Sequence, residues 1–506
     1  MKRKLKLLEL TYLGIWIIPF IIFAKDFFVL NDFLSIFDKD LFKLIQFTFK
    51  QSFYSTLFAF LCGIIPAIYI AYNKNLLSRF IESTIFIPFF FPVVSTIISF
   101  TILGNFDFFK KIGFLYSFKG IIIANIFYNT PIFVKYISDG LKKISPNIIE
   151  MSEIDGASPI KILTAIKLPL LLPSILKASF LVFSYCFTSF GVILGIGGIG
   201  FSTIEVEIAT TLFSSFNFSK AFALGILQFI LLFSVNYFSE LAETHQLQYE
   251  YKLKKEKVSI YTQIISVLYL IFEYSIVLIS IIFAFVDKST GKFALKYFLK
   301  LFTREFNDSY PIYKAFLNSS IISGITALLT IIFVYFFLKK YSKSTNYVVL
   351  SSLGISSAFL GICLIYMNIL FNIPLFLILI LGYFMITVPI AYSYMYHPLR
   401  TFDKSLIEAG KLDGANSVNI FFNIEFPLLK NIFIGTFIQI FAIIFAEFTI
   451  SYTMQIKDFL PTMSTVNYDM SSNRHFAEST ALGALNTLII ISLFILANLK
   501  SKKEEL

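Results

Sequence analysis

Two polar segments of the sequence repeat the same residue types at the same spacing, 258 residues apart. The repeated residues are Glu150, Asp155, Gly156, Ala157 and Pro169 in the first segment and Glu408, Asp413, Gly414, Ala415 and Pro427 in the second. When residues 131–171 are aligned with 389–429 without a gap, 14 of 41 positions are identical. A polar pattern that occurs twice at one spacing in so apolar a chain indicates a functional element.

Each segment predicts a helix, a tight turn and a second short helix. Gly156 and Gly414 suit the left-handed position that ends a helix, and Ser158 and Asn416 are favoured N-cap residues for the next helix. The second helix carries matched isoleucines on one face, namely Ile162, Ile166, Ile420 and Ile424. The proline after each stripe is expected to end this helix. Because a helix of about ten residues is marginal alone, we expect it to dock on a partner; the alternative is that it lies on lipid headgroups.

The composition places these segments in a membrane protein. Hydrophobic residues make up 57% of the 506-residue chain, which contains 64 Phe, and the mean hydropathy is +0.79. This leaves too little polar surface for a water-soluble domain. A membrane helix needs about 20 apolar residues, and such runs centre on Ile18, Gly63, Val94, Asn129, Cys186, Leu231, Ser275, Leu328, Phe359, Met385, Ile443 and Ile490. We therefore predict an all-α integral membrane protein with about 12 transmembrane helices.

The spans divide into two halves of six. We predict a first repeat over 1–239 with the loop 139–174, a charged cytoplasmic linker over 240–262, and a second repeat over 263–506 with the loop 397–430. An even number of spans per half makes the repeats parallel. The excess of Lys and Arg places both loops and both termini in the cytoplasm. The basic start of the chain resembles a signal peptide, but an uncleaved first span is the preferred interpretation.

Several functions find no support in the residues. Cys62, Cys186 and Cys363 lie within predicted spans and are interpreted as small buried residues, without a disulfide or metal role. His245, His397 and His475 are scattered among loops. The sequence contains no Gly-x-x-x-x-Gly-Lys-Ser/Thr motif for ATP. We expect no catalytic, cofactor-binding or metal-binding residues in this chain and no nucleic-acid partner, although the net charge is +11.

Two polar residues occupy matched positions in the span that follows each loop. The 258-residue offset aligns Ser189 with Glu447, and a carboxylate in a span costs on the order of 3 kcal/mol at the membrane centre. Our hypothesis is that both face a translocation path and that Glu447 attracts a cationic solute. The alternative is a hydrated Glu near the outer interface. For Lys135, Lys177 and Glu273, snorkelling to the interface is the default expectation.

At the two loops the chain resembles the permease subunits of binding-protein-dependent ABC importers. Their signature is a Glu-Ala-Ala run followed by a Gly and then by an apolar-Pro segment. Here it takes the forms Glu150-Met-Ser and Glu408-Ala-Gly, so the Ala-Ala pair is degraded in both copies. The resemblance implies a type I permease fold in a bacterial-type plasma (inner) membrane. It also implies that the ten repeated residues contact two copies of a separate ATP-binding subunit, and that a solute-binding protein lies outside.

Within this family the chain is similar to fused permeases of the ferric-iron and thiamine importers. Residues 187–198 and 203–208 resemble the thiamine type, while 120–131 fit either type, so thiamine is slightly favoured over ferric iron. An ion-coupled secondary transporter also has two six-span halves and would use Glu273 or Glu447 as a relay. A membrane scaffold is the third possibility. Neither alternative explains the matched loop residues.

Overall fold

The chain folds almost entirely into helices. The computed structural model describes residues 2–502 apart from 74, 199, 242–258, 288–289, 340–348 and 350–351. Within these ranges the only β-structure is one antiparallel bridge between Val286 and Phe293. The helices of the first half are α1 Lys2–Phe27, α2 Leu30–Ser35, α3 Lys39–Tyr72, α4 Leu76–Thr84, α5 Val93–Gly104, α6 Asp107–Ile112, α7 Phe118–Lys142, α8 Pro146–Ile154, α9 Pro159–Ile162, α10 Leu168–Phe187, α11 Ile204–Ser214 and α12 Phe218–Leu241.

The second half repeats much of this order. Its helices are α13 Ile260–Ala284, α14 Lys296–Leu301, α15 Arg304–Ser309, α16 Ile312–Lys339, α17 Ser357–Phe371, α18 Leu375–Thr401, α19 Lys404–Leu412, α20 Ser417–Ile420, α21 Phe426–Ala446, α22 Thr449–Thr453, α23 Met463–Ser472 and α24 Phe476–Lys502. Most of the predicted linker 240–262 lies outside the described residues.

The all-α membrane prediction is confirmed, although the described residues contain fewer than twelve full-length membrane helices. Among the described residues, ten helices are long and apolar enough to cross a membrane. The third predicted span is a pair of helices, 76–90 and 93–104, bent by 95°, because Pro92 cannot continue the helix that precedes it. The ninth predicted span is the 15-residue helix α17. The third span of each half is therefore a short or broken helix.

The two halves pack on each other in a reciprocal way. Within the first half α3 packs on α7 and α10, and within the second α16 packs on α18 and α21. Across the halves, α1 packs on α17 and α13 packs on α5. The first span of each half thus contacts the third span of the other, as expected for two parallel repeats about one axis.

Buried polar groups fix these contacts between helices. Gln51 donates its amide N–H to the carbonyl of Cys186 at 2.7 Å and accepts one from the amide of Asn125 at 3.1 Å. Across the halves, the Tyr12 hydroxyl and Ser352 Oγ lie 2.9 Å apart. Because an unpaired polar group in an apolar interior is costly, these bonds specify how the helices align.

The three cysteines do not share one environment. Cys186 and Cys363 are buried, as predicted, whereas Cys62 is exposed on α3. The prediction was wrong for Cys62 because an apolar run shows that a helix enters the membrane but not which of its faces meets the bundle.

Candidate functional site

The Asp-Gly-Ala motif forms the same turn in both loops. Asp155 follows the last residue of α8 and Asp413 follows the last residue of α19. Gly156 and Gly414 both have φ of +78°, a value that a residue with a side chain rarely adopts. The following alanine closes the turn: Ala157 N–H bonds to the carbonyl of residue 152 and Ala415 N–H to that of residue 410, each at 2.9 Å. The predicted helix end is confirmed in both copies.

The second helix of each loop begins as predicted. Ser158 Oγ accepts the backbone N–H of Lys161 at 3.3 Å, and Asn416 Oδ1 accepts that of Asn419 at 2.8 Å. Each side chain satisfies one of the N–H groups that the first helical turn leaves unpaired. The side chain of Ile162 is only 5% exposed and that of Ile420 only 4%. These two isoleucines anchor the loops to the bundle.

The prediction that Pro169 and Pro427 end these helices was wrong. The helix continues through each proline, so that residues 159–187 and 417–446 cross the bundle. A π-helical turn precedes each proline, at 163–167 and 421–425. The wider turn displaces the carbonyl that the proline ring would otherwise meet, so the helix tolerates the proline. Each loop is thus the start of a membrane helix and not a separate surface element.

Both loops expose apolar side chains at matched positions. Ile154 is 84% exposed and its counterpart Leu412 is 88% exposed, both at the end of the first loop helix. Ile160 and Val418, in the second helix, are exposed by 75% and 60%. Each loop therefore exposes two large apolar side chains, one in each of its helices. Exposed apolar side chains of this size are candidates for a protein contact.

The other predicted loop residues differ in exposure. Asp155, Asp413 and Glu408 are exposed, whereas Glu150 is half-buried. Ala157 and Ala415 are half-buried and the two prolines are exposed. Gly410, which replaces the second alanine of the family signature, is buried, and a Cβ built there would lie 2.7 Å from Cδ1 of Ile424. A side chain there would require Ile424 to shift, and the first loop carries Ser152 at the matched position.

The π-turns contact the ends of the second span of their own half. Glu425, the last residue of the second π-turn, is 2% exposed and accepts a hydrogen bond from Lys339 Nζ at 2.7 Å and another from the Tyr335 hydroxyl. At the matched position in the first half, Lys167 Nζ lies 5.1 Å from the ring centroid of Tyr72. The sequence did not reveal these contacts.

The residues after Ser189 and Glu447 meet between the two halves. The rings of Phe190 and Phe448 are stacked with centroids 6.3 Å apart, and both side chains are 3% exposed. Tyr452 lies 5.9 Å from Phe190 and 4.9 Å from Phe448. The structure therefore brings the two matched segments together at the interface of the repeats, where their aromatic rings fill the space between them.

Glu447 has a local structural role that neither sequence interpretation included. Its carboxylate accepts the backbone N–H of Ile450 at 2.9 Å and that of Ser451 at 3.5 Å, in the first turn of α22. A carboxylate at a helix N-terminus is stabilised by the unpaired N–H groups and by the helix dipole. Glu447 and Ser189 are both half-buried. The geometry explains how a carboxylate is held beside the aromatic rings.

The snorkelling expectation was wrong for Glu273. Its side chain is 1% exposed, and neither carboxylate oxygen has a hydrogen-bond partner among the described residues. Lys135, by contrast, is partly exposed and pairs with Asp139 at 3.1 Å. Lys177 is half-buried.

A second buried acid, Glu205, links the two halves and was not singled out from the sequence. Its side chain is fully buried, accepts the backbone N–H of Ala358 at 2.9 Å, and bonds to the amide of Gln228. Ala358 is in the first turn of α17, which belongs to the other half. Burial raises the pKa of Glu205 to about 7. Its position beside Glu207, just after a polar Ser-Thr pair, was the available signal.

Part of the sequence matches known proteins. Residues 59–245 match the family described as the binding-protein-dependent transport system inner membrane component. Similar proteins include the transport system permease protein NifC of Clostridium pasteurianum, 28% identical over 40% of this chain and 75% of that protein. The 2-aminoethylphosphonate transport system permease protein PhnU of Salmonella typhimurium is 23% identical over 36% and 69%. The thiamine transport system permease protein ThiP of Haemophilus influenzae is 25% identical over 38% of each chain.

These relatives are transport subunits and not enzymes, in keeping with the apolar helices and the two matched loops described above. On this evidence the chain is a multi-pass membrane protein whose residues 59–245 match the inner membrane component family of binding-protein-dependent transport systems.

Proposed function

We propose that this chain forms the complete translocation path of an importer, with one permease repeat in residues 1–239 and a second in 263–506. The observation that carries the proposal is the identical turn in the two loops, with Ile154 and Leu412 exposed by 84% and 88% at matched positions. Each loop would place its apolar pair in a cleft of one ATP-binding subunit. Two such subunits, with the loops and both chain termini on the cytoplasmic side, fit the two repeats.

The acidic residues would orient this contact. Asp155 and Asp413 cap the first loop helix on its exposed side, and Glu150 and Glu408 lie about one and a half turns before them on the same helices. Apolar side chains supply most of the free energy of a protein contact, while charges at its edge select the partner and set the register. ATP itself would bind to the partner subunits.

The solute path would run between the halves, past Ser189 and Glu447. The support is the meeting of Phe190 and Phe448 at the interface of the repeats, beside a carboxylate held by backbone N–H groups. Such a site would favour a cation, and an aromatic cation most of all. Thiamine, the solute named for one relative, has this chemistry, and ferric iron is the second candidate. A solute-binding protein on the opposite side of the membrane would deliver it.

Copurification from membranes tests the coupling proposal. A tagged chain should retain an ATPase, and a variant in which Asp155-Gly156 and Asp413-Gly414 are both replaced by Ala-Ala should lose it. Retention of the ATPase by this variant would contradict the assignment of the loops. Absence of any ATPase with the unaltered chain would instead favour an ion-coupled transporter or a scaffold.

Uptake in energised cells, with and without the chain, tests the solute. Labelled thiamine and ferric iron are measured in the same strains. Loss of thiamine uptake alone would support the thiamine assignment, and loss of iron uptake alone would move the proposal to iron. Unchanged uptake of both would refute the assignment of either solute. The assignment of the loops would still be decided by the copurification experiment.

A further inference from the structure

The contact between the two halves contains polar side chains that are buried without a hydrogen-bond partner. Ser95, in α5 of the first half, and Asn467, in α23 of the second half, are both fully buried. Neither Ser95 Oγ nor Asn467 Nδ2 has a partner among the described residues. Asn467 Oδ1 accepts the Ser479 hydroxyl at 2.7 Å, so only the amide nitrogen is left unpaired. Since a buried unpaired polar group costs free energy, both groups destabilise the contact in this conformation.

The two unpaired atoms face the same glycine. The last helix, α24, packs on both α5 and α23, and Gly483 lies where the three helices meet. A Cβ built on Gly483 would lie 2.6 Å from Ser95 Oγ and 3.3 Å from Asn467 Nδ2. Because glycine has no side chain, it offers neither atom a side-chain partner. A hydrogen-bonding group placed at this point would reach both atoms once the helices move slightly apart.

This pair of atoms lies next to the segment that contains Glu447. Ser464 precedes Asn467 by three residues, on the same face of α23, and donates its hydroxyl to the backbone carbonyl of Glu447. Tyr468, the residue after Asn467, has its ring centroid 4.9 Å from that of Phe448. The unpaired groups are therefore continuous with the place where the solute path is proposed.

We propose that Ser95 and Asn467 line the solute path when the halves separate, and that they bind an uncharged hydrogen-bonding group of the solute. This inference rests on the proposed function. The amide nitrogen of Asn467 can only donate, whereas the Ser95 hydroxyl can donate or accept. Neither group carries a charge, so the pair suits a hydroxyl or a ring nitrogen. Hydrogen bonds formed there replace those that the two groups lack in the closed contact.

Together with Glu447, the pair specifies a class of solute. Glu447 holds the cationic part, while Ser95 and Asn467 hold a neutral polar part elsewhere in the same molecule. The solute is then an organic cation that carries a separate hydroxyl or ring nitrogen. Thiamine has both groups apart from its cationic ring, whereas a ferric ion has neither. The pair therefore favours a thiamine-like solute over a metal ion.

Labelling of introduced cysteines tests whether the pair lines the path. Ser95→Cys and Asn467→Cys are made separately in a Cys62→Ser background, because Cys62 is exposed. A charged maleimide is added to unsealed membrane fragments with and without ATP. Each cysteine should react in one condition and be protected in the other, and thiamine should slow the reaction. Ser280→Cys is the control, since Ser280 in α13 is also fully buried with an unpaired hydroxyl, and it should stay protected throughout.

The variant Ser95→Ala separates solute binding from folding. Because the Ser95 hydroxyl makes no hydrogen bond in this conformation, its removal should leave thermal stability unchanged or raise it. The KM of thiamine uptake should rise about fivefold, equivalent to about 1 kcal/mol and typical of one neutral hydrogen bond. The maximal rate should change little. Ser280→Ala should alter neither KM nor maximal rate.

The outcomes distinguish this inference from the proposed function. If the unaltered chain gives no thiamine uptake, the solute assignment fails and the two-point site fails with it, while the labelling still decides whether the pair lines a path. Protection of both cysteines with and without ATP would refute the inference even where uptake is intact. Labelling that thiamine does not slow, together with an unchanged KM in Ser95→Ala, would refute solute binding by the pair.

Discussion

Truncation of the two most exposed loop residues should release the ATPase. Full burial of an isoleucine or leucine side chain contributes about 1.5–3 kcal/mol, and alanine retains only a methyl group. Since Ile154 is 84% exposed and Leu412 88% exposed, almost all of this contribution is available to a partner. Each truncation should therefore cost about 2 kcal/mol, or about a 30-fold loss of affinity for the subunit at that loop.

The assay is titration of the purified ATPase onto the stripped chain in nanodiscs. Ile154→Ala and Leu412→Ala are measured separately and together. Phe216→Ala and Phe459→Ala are the controls, since they also truncate highly exposed apolar side chains but lie at the opposite end of the bundle. Exposed truncations change stability by about 0.5 kcal/mol or less, so the thermal stability of all four variants should match that of the unaltered chain. An affinity change below about threefold in the loop variants, near 0.6 kcal/mol, would refute the docking surface.

Three further predictions concern other parts of the site. Gly414→Ala should reduce the free energy of unfolding by about 1 kcal/mol, because φ is +78° there, and should weaken ATPase binding in the same titration. Gly435→Ala is the control, since a Cβ has open space there, and it should leave ATPase binding unchanged. Equal binding by the two variants would count against a required turn. Glu447→Gln should raise the KM of thiamine uptake about tenfold, equivalent to about 1.4 kcal/mol, while an unchanged KM would remove Glu447 from the path. The pKa of Glu205 in the folded protein is about 7, above the ordinary value of 4.5. Between these two pH values the folded protein keeps the proton on Glu205 while the unfolded protein loses it. The contribution of this group to the free energy of unfolding therefore falls as pH rises from about 4.5 to 7. Glu205→Gln should flatten that part of a thermal-stability profile, and an unaltered slope would show that Glu205 does not titrate in this window.

The local features of the loops were predictable from the sequence. Asp-Gly-Ala specifies a helix end through one left-handed residue, and Ser158 and Asn416 specify the next helix start, because both depend only on neighbouring residues. The effect of the prolines was not predictable in the same way. Whether Pro169 ends a helix or is absorbed by a π-turn depends on the packing of the whole crossing helix, which no window of sequence contains.

Contacts between residues that are far apart in the chain could not be predicted from the sequence either. Glu273 lies in an apolar run, where snorkelling is the usual outcome for a charged residue, yet its helix presents it to the interior of the bundle. The pairing of Glu425 with Lys339 joins residues 86 positions apart, and a single sequence carries no sign of it. The 95° bend in the third span was not predicted either, because the apolar run through Val94 is long enough for a straight span.

Comparison of the two repeats distinguishes positions where the fold requires one residue type from positions where several residue types are compatible with it. Gly156 and Gly414 are both retained because no other residue adopts that φ without strain. Lys167 and Glu425 carry opposite charges at one position, so the fold requires a contact there but not one particular chemistry.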